Sequence, residues 1–345
     1  MAQSQPFLGR LEPFYGWYKR VGHNIKKTEM KNSKIIFFIL SIFCNFQICL
    51  GQENPKEELG NLTTLNLKGK VKTITEKSFN AKKSGADYVK TDEGWQSTWQ
   101  KNNTQKFDVN GNLSDKTYFE NSKPIRSDSF KYENNKITEI NALYAIRFFH
   151  YDESGKIESE KFIDKQPKKI TTGKESTPIK KETLIKYFYS KNTELTQKIE
   201  SDLSGNQISI QNFKYNQNNN LIYNDLNYSG GKEWYDYYYN NDNLLYKIEW
   251  KDDKFGLLEV TQITYNNGEK KFENWINYFE GDKEGSIEYN YENGNEIQTK
   301  EFDADGNLEN TEKISYKYDD FGNWINKTII LKSKTYIIER QIIYY

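Results

Sequence analysis

The chain has 345 residues, 49 basic and 49 acidic side chains, and a formal net charge of zero. Its length allows one large domain or two of ordinary size. Only 35% of residues are hydrophobic but 15% are aromatic, with 26 Tyr, 20 Phe and 7 Trp; this argues against a helical bundle and for strands, which favour aromatic and β-branched side chains.

In chain order, residues 1–29 read as an upstream extension, disordered or a start-site artefact, with Met30 as the true start. Residues 30–51 read as a signal peptide. Lys31 and Lys34 form the basic region, and Ile35 to Phe43 the apolar one. Cys49 and Gly51 stand at the −3 and −1 positions of a cut before Gln52. A membrane anchor is the weaker alternative, because a span needs about 20 apolar residues and Asn45 and Gln47 interrupt this one. A lipidated Cys49 would call for a small residue before it, where Ile48 stands. The chain is therefore expected to be exported, and to be periplasmic, outer-membrane-associated or extracellular.

Cleavage would remove both cysteines, Cys44 and Cys49, both methionines, and His23, leaving His150 as the single histidine. No thiol nucleophile, cysteine-ligated metal or disulfide is then expected, and no cofactor. Seven basic and two acidic side chains leave as well, so the mature chain has 42 basic against 47 acidic, a net of −5. That charge does not attract phosphate backbones, so nucleic acid is not an expected partner. No membrane span is expected in the mature chain.

Residues 52–104 are expected to form an N-terminal β segment, and residues 105–345 a β-repeat array. An aromatic residue or Asp, a polar Asn/Asp/Gly cluster and an apolar residue recur from positions 189, 202, 215, 228, 239, 252, 265, 278, 291, 302 and 318, mostly 13 residues apart. Looser copies begin at Phe107, Phe119, Tyr132 and Tyr151. The lysine-rich stretch 165–181 reads as a solvated loop inserted into the array, with a partner-binding basic loop as the alternative. Asn-Gly and Asp-Gly clusters suit tight turns that need φ > 0. The segments between alternate: Ile314, Tyr316 and Tyr318 share one face, and Lys313, Ser315 and Lys317 the other. Such alternation predicts strands with one packed and one wet face. Successive strands on short turns run antiparallel, so the turns after 189, 215, 239, 265, 291 and 318 should share one end. The fold class expected is all-β: an antiparallel meander of about 13-residue strand-turn units. About twelve strands after residue 181 exceed the roughly ten at which open sheets curl, split or flatten, so a long curled or open sheet is expected.

Tyr318-Asp-Asp-Phe-Gly-Asn-Trp324, Tyr151-Asp-Glu-Ser-Gly-Lys-Ile157 and Phe302-Asp-Ala-Asp-Gly-Asn-Leu308 resemble the YD-repeat, or RHS-repeat, family, over roughly residues 105–345. The closing stretch is similar to the end of small secreted bacterial members. The resemblance implies repeated β-hairpins and is nearly silent on function. Large members wrap such strands into a shell around a toxin, and this chain shows no toxin domain after the array. Gly230-Gly-Lys-Glu-Trp-Tyr235 also resembles a MORN-type repeat, which implies an open antiparallel sheet.

No phosphate loop, GxSxG elbow, HExxH or EF-hand pattern occurs. The adjacent pairs Asp252-Asp253 and Asp319-Asp320 fall in expected turns, where Asp belongs for conformational reasons. His150 lies on an expected strand, where a structural or surface role is favoured over a catalytic one. No metal site is expected. The aromatic surplus is the one functional lead. Trp234, Trp250, Trp275 and Trp324, with Trp95 and Trp99, would form a sugar- or peptide-binding strip if exposed on one face, or would fill the packed face. The expected function is an exported, non-enzymatic β-repeat protein binding a protein or glycan partner at the cell envelope or exterior. The alternatives are a carbohydrate-binding module and a glycan hydrolase. Far-UV circular dichroism of residues 52–345 should show β structure and turns; a helix content above about a quarter would refute the repeat reading, since ordinary domains average roughly a third.

Overall fold

The computed structural model describes residues 62, 65–96, 102–165, 170–171, 174–175, 181–279, 281 and 283–345. The expected extension at 1–29, the signal peptide at 30–51 and Trp99 lie outside these residues, as does most of the expected loop at 165–181.

The alternating segments form strands throughout. In chain order they are β1 (Val71–Ser84), β2 (Asp87–Glu93), β3 (Asn102–Phe107), β4 (Leu113–Glu120), β5 (Lys123–Glu133), β6 (Lys136–Asn141), β7 (Ala145–Tyr151) and β8 (Ile157–Asp164). A two-residue pair follows, β9 (Ile170–Thr171) and β10 (Lys174–Glu175). Then come β11 (Lys181–Tyr189), β12 (Leu195–Asp202), β13 (Gln207–Tyr215), β14 (Leu221–Tyr228), β15 (Gly231–Tyr239), β16 (Leu245–Asp252) and β17 (Gly256–Asn266). The last are β18 (Glu269–Asn277), β19 (Lys283–Glu292), β20 (Asn295–Asp303), β21 (Leu308–Tyr318), β22 (Trp324–Ile330) and β23 (Thr335–Tyr344). Along the wall the strands of the large sheet pair antiparallel in order, β1 with β3 and each later strand with its successor, and β8 pairs with β11 across the 165–181 connection.

The sheet is neither open nor merely curled, contrary to the expectation from strand number and from the MORN-like stretch. It closes into a barrel of 20 strands. The closing ladder joins β1 to β23, from Val71 opposite Tyr344 to Ala81 opposite Thr335. β1 is long enough for a third partner. Its first half pairs with β3 and its second half with β2, which stands on β1 as a side hairpin. Closure removes both edges of the meander, and unpaired strand edges are the chief liability of such a sheet. Strands of the 52–104 segment thus lie in the same wall as the repeat array.

The repeat has a physical basis in its turns. In eight of them the leading residue accepts a hydrogen bond on its side-chain oxygen from the backbone N–H four residues on. The leaders are Asp108, Asp152, Ser190, Asp202, Asn216, Asn240, Asp303 and Asp319. The residue three places after each leader has φ between +62° and +87°. Glycine takes this conformation freely, as at Gly322, and asparagine tolerates it, as at Asn219 and Asn243. Units that lack Asp or Gly therefore keep the turn through chemically equivalent residues. The other turns include two-residue hairpins such as Asn134-Asn135 and Asn293-Gly294, where both residues have positive φ.

Each tyrosine that precedes a turn at one end of the barrel sits at a register shift. Phe188 faces Gln197 while Tyr189 faces Leu195, so Thr196 is the extra residue. The same shift occurs at Tyr132, Tyr151, Tyr215, Tyr239, Tyr265, Tyr291 and Tyr318. A bulge resets the side-chain alternation. It brings the tyrosine and the apolar residue after the turn onto the same face. That face is the crowded, inner one. Ile137, Ile157, Leu195, Leu221 and Leu245 are all nearly inaccessible there. Tyr hydroxyls then join successive hairpins: Tyr151 donates to the Ile137 carbonyl at 2.8 Å, Tyr189 to Ile157 at 3.0 Å, Tyr239 to Leu221 at 3.0 Å and Tyr265 to Leu245 at 2.8 Å.

The turns divide between two rims as the strand alternation requires. One rim has the tyrosine-led turns and both chain ends of the barrel. There Asn323 exchanges hydrogen bonds with the Lys68 backbone, and Tyr345 donates to the Phe107 carbonyl at 2.6 Å, so the seam is stitched. The outer wall is mixed along the middle of the strands: Glu288, Asn290, Gln298, Lys300, Lys313, Ser315, Lys247, Glu249 and Lys251 face outward, opposite the tyrosine face, and so do Ile199, Ile210, Val260 and Ile276. Tyr289 is 8% exposed, stacks on Tyr291 and lies under the Lys270 ammonium at 4.1 Å. Glu288, on the outer face, bridges Lys271 and Lys300 at 2.8 and 2.9 Å. We expect Tyr289→Ala to lower stability by about 3 kcal/mol and Glu288→Ala by at most about 1 kcal/mol. Denaturant midpoints check this, and equal small effects would show that the tyrosine face is not load-carrying.

Candidate functional site

Twenty strands spaced about 4.8 Å apart enclose a ring roughly 30 Å across between backbones if round, wider than the side chains of one wall can fill. The apolar packing matches this: the largest core cluster runs sideways along the wall, from Ile137 and Phe149 through Tyr187, Leu195, Phe213 and Leu221 to Tyr237 and Ile248. The inner wall is the candidate site.

Its lower tier, next to the tyrosine-led rim, is aromatic and aliphatic. The tiers beyond are charged. Glu160 is 1% exposed and is held by Arg147, at 2.5 and 3.0 Å, and by the Tyr187 hydroxyl at 2.8 Å. Lys198 lies over the rings of Tyr187 and Phe213 at 5.4 and 5.7 Å, and burial pulls its ammonium down to about 7. Glu76 and Arg340 pair at 2.6 Å, and the Arg340 guanidinium covers Trp324 at 3.4 Å. Glu312 accepts from the Gln96 side chain at 2.7 Å.

The wall from β15 to β21 is rich in carboxylates. Glu233, Asp252, Glu259, Glu273, Glu301, Asp303 and Glu312 share the inner face by register. Desolvation raises Glu233, and the like charge of Asp252 adds to it. Desolvation also raises Glu301, against a hydrogen bond from Asn310. Glu296 is pushed up to about 6 by desolvation and by the like charge of Glu312, against Lys327 and Lys270. Four buried polar atoms on inner-face residues have no partner: Ser78 Oγ, Thr183 Oγ1, Trp250 Nε1 and Glu273 Oε1. Among the described residues, no group of three or more His, Cys, Asp or Glu is arranged to hold a metal ion.

The four tryptophans singled out by sequence do not form one strip. Trp250 is on the inner face and stacks on Tyr235, with centroids 6.0 Å apart and planes at 3°. Trp275 is also inner. Its ring crosses Gly285 so closely that a Cβ there would lie 2.4 Å from it, which is why that strand position is glycine. Trp324 is inner but several strands away, against Tyr316 and Arg340. Trp234 is on the outer wall beside Lys232. Trp95 lies near the seam with its indole nitrogen buried.

The remaining candidates have structural roles. Asp252 accepts from the backbone of Lys254 and Phe255. Asp319 accepts from Phe321 and Asn323 and from the Tyr344 hydroxyl. His150 is exposed on the outer wall. Sequence reading missed the inner carboxylates. Their signal was present in the acids at alternate positions with the aromatic face, such as Glu233 with Tyr235 and Glu312 with Ile314.

No protein-family model matches the chain, and no curated protein does. Among solved structures it is similar to a porin-like protein from Bacteroides uniformis, at 11% identity and a TM-score of 0.34, covering 79% of this chain and 98% of that one. A porin-like protein from Bacteroides vulgatus gives 9%, 0.27, 80% and 98%. The TcdB2–TccC3 toxin assembly gives 11%, 0.29 and 68%, with this chain spanning 14% of that chain's length. At these TM-scores the similarities assign no function.

The Glu296 carboxyl yields a sign-defined pH effect. Its folded value lies above the ordinary 4.5, so the native state is penalised as pH rises from about 4.5 through 6. Glu296→Gln should therefore gain roughly 2 kcal/mol over the parent at pH 7.5 and nothing at pH 4. Denaturant midpoints at the two pH values check it; a gap independent of pH would show that Glu296 is not desolvated.

Proposed function

We propose that this chain is an exported, non-enzymatic binding protein of the YD-repeat type whose ligand occupies the barrel interior. The supporting observation is the inner wall itself: flat aromatic faces stand beside desolvated carboxylates and unpartnered polar atoms on a surface not closed by packing from the opposite wall. Buried polar groups need partners, and a ligand bearing hydroxyl groups supplies them while its apolar faces lie on Trp250, Tyr235 and Trp275. A glycan fits that chemistry better than a peptide, which would bring its own unsatisfied backbone into a carboxylate-lined wall.

The barrel does not cross a membrane in this reading. A spanning barrel needs an outward apolar band about 25 Å tall, and the outer wall carries Lys, Glu, Asn and Ser through its middle. Among the described residues no helix is long and apolar enough to cross either. The non-enzymatic reading rests on Asp252 and Asp319, which are committed to backbone N–H groups, and on His150, which is outside the barrel.

A glycan array followed by titration through tryptophan fluorescence tests the proposal. Trp250→Ala and Trp275→Ala should each weaken binding at least about tenfold, by the usual worth of a stacked aromatic. Trp234→Ala should leave it unchanged. Binding that is lost in Trp234→Ala and kept in the other two would move the site to the outer wall, and an array without any bound glycan would remove the ligand class.

A further inference from the structure

Charge is unevenly distributed around the inner wall. Outside the β15–β21 segment the inner arginines are matched by acids: Arg126 with Asp128 at 2.7 Å, Arg147 with Glu160 at 2.5 Å and Arg340 with Glu76 at 2.6 Å. From β15 to β21, Glu296 joins the seven acids that share the inner face, and among the described residues the register sets two lysines against them, Lys270 and Lys283. Glu233 and Asp252 stand directly opposite each other on β15 and β16, and like charges in a cross-strand pair destabilise a sheet. Glu301 and Asp303 follow one another on the inner face of β20, with Glu312 diagonal to Glu301 on β21. These carboxylates flank flat rings. Tyr235 and Trp250 form the next inner pair after Glu233 and Asp252 and stack at 6.0 Å. Trp275 crosses Gly285, whose partner on the following strand is Asp303. The two ring sites are two strands apart, roughly 10 Å, and the rings and the four acids beside them are partly exposed. Glu273 adds an observation independent of the charge count. It stands one inner position from Trp275 and is 1% exposed; its Oε2 accepts from Lys270 at 2.8 Å, and its Oε1 has no partner.

We propose that the β15–β21 wall selects a glycan bearing protonated amino groups, with sugar rings on Trp250 and Trp275 and ammonium groups between Glu233 and Asp252 and beside Asp303. The assignment rests on the reading that a glycan occupies the barrel and adds the charge of that glycan. An ammonium group brings three N–H donors and a positive charge, so it bridges two facing carboxylates that repel each other in its absence. A neutral hydroxyl supplies a donor but leaves the repulsion in place. Gln96 shows the kind of group this wall accepts: its side-chain amide donates to Glu312 at 2.7 Å. Burial and neighbouring like charge push Glu233 and Glu301 toward the neutral form, and a bound ammonium would return both to the carboxylate. A bare divalent cation does not fit, because among the described residues no group of three or more ligating side chains is arranged to hold one. A basic peptide would answer the charge, but its backbone carbonyls would face carboxylates that accept and do not donate.

Calorimetric titration near neutral pH with glucosamine oligomers and with their N-acetylated counterparts tests it, since the two share their rings and differ in charge. The glucosamine form should bind at least about tenfold more tightly, and added salt should weaken that form alone. The double variant Glu233→Gln/Glu301→Gln should lose this preference and keep its affinity for the neutral form. Circular dichroism and the denaturant midpoint of the double variant confirm that it folds. The proposal is overturned if the two forms bind equally, or if the folded double variant keeps the preference; a glycan inside the barrel would still stand. The same holds if neither form binds while another glycan on the array does. An array without any bound glycan removes both readings. The proposal is also overturned if an oligolysine peptide binds as tightly as the glucosamine oligomer and loses nothing in Trp250→Ala, since charge alone would then be recognised.

Discussion

The ladder between β1 and β23 is the constraint on which the rest of this structure depends. A meander of this length has two free edges and two faces of unequal polarity. Pairing the first strand with the last removes the edges and turns the tyrosine face into an interior. Every statement about the inner wall, the outer wall and the rims follows from that closure. The seam is reinforced where the chain ends meet: Asn323, in the best-formed repeat turn, holds the Lys68 backbone, and Leu62, Leu65 and Leu67 pack on Val71, Ile74, Phe107 and Leu113. Arg340 and Glu76 add a charge pair across the same ladder.

Along the wall, order is maintained by a small unit used repeatedly. The leading side-chain oxygen fixes the turn, the bulge resets the alternation, and the tyrosine hydroxyl reaches back to the neighbouring hairpin. Each part depends on the others. Without the bulge the apolar residue after the turn would face outward, and the tyrosine would lose its inner neighbour. The backbone N–H groups at the turn are met by the leading side chain, so the rim needs no capping element. This is why the array tolerates such polar sequence: its apolar content is concentrated in one tier near the tyrosine-led rim. The upper tiers are left free for charge.

That freedom has a cost that the inner wall displays. Glu160 and Glu273 are almost inaccessible, and each is paired with a cation, Arg147 and Lys270. Glu233, Glu296 and Glu301 are less well compensated, and burial drives all three toward the neutral form. Such groups contribute little to stability; displaced titration at a concave surface is a common mark of a functional site.

The sequence alone determined the strands, their lengths and antiparallel order, and the division of turns between two ends, because these are local consequences of alternation and turn chemistry. The D-x-x-G-N pattern was legible even where Ser190, Asn216 or Thr193 replaces its members, since the turn needs an oxygen and a positive φ, not particular residues. Closure was not legible: it depends on β1 meeting β23, some 250 residues away in sequence, and nothing in either strand names the other. The tryptophans showed the same limit. Alternation places Trp234 and Tyr235 on opposite faces, but only the ring decides that one face is an interior. Whether Trp250, Trp275 and Trp324 share a strip depends on strand position around the barrel, and closure, acting on the whole chain at once, is what assigned it.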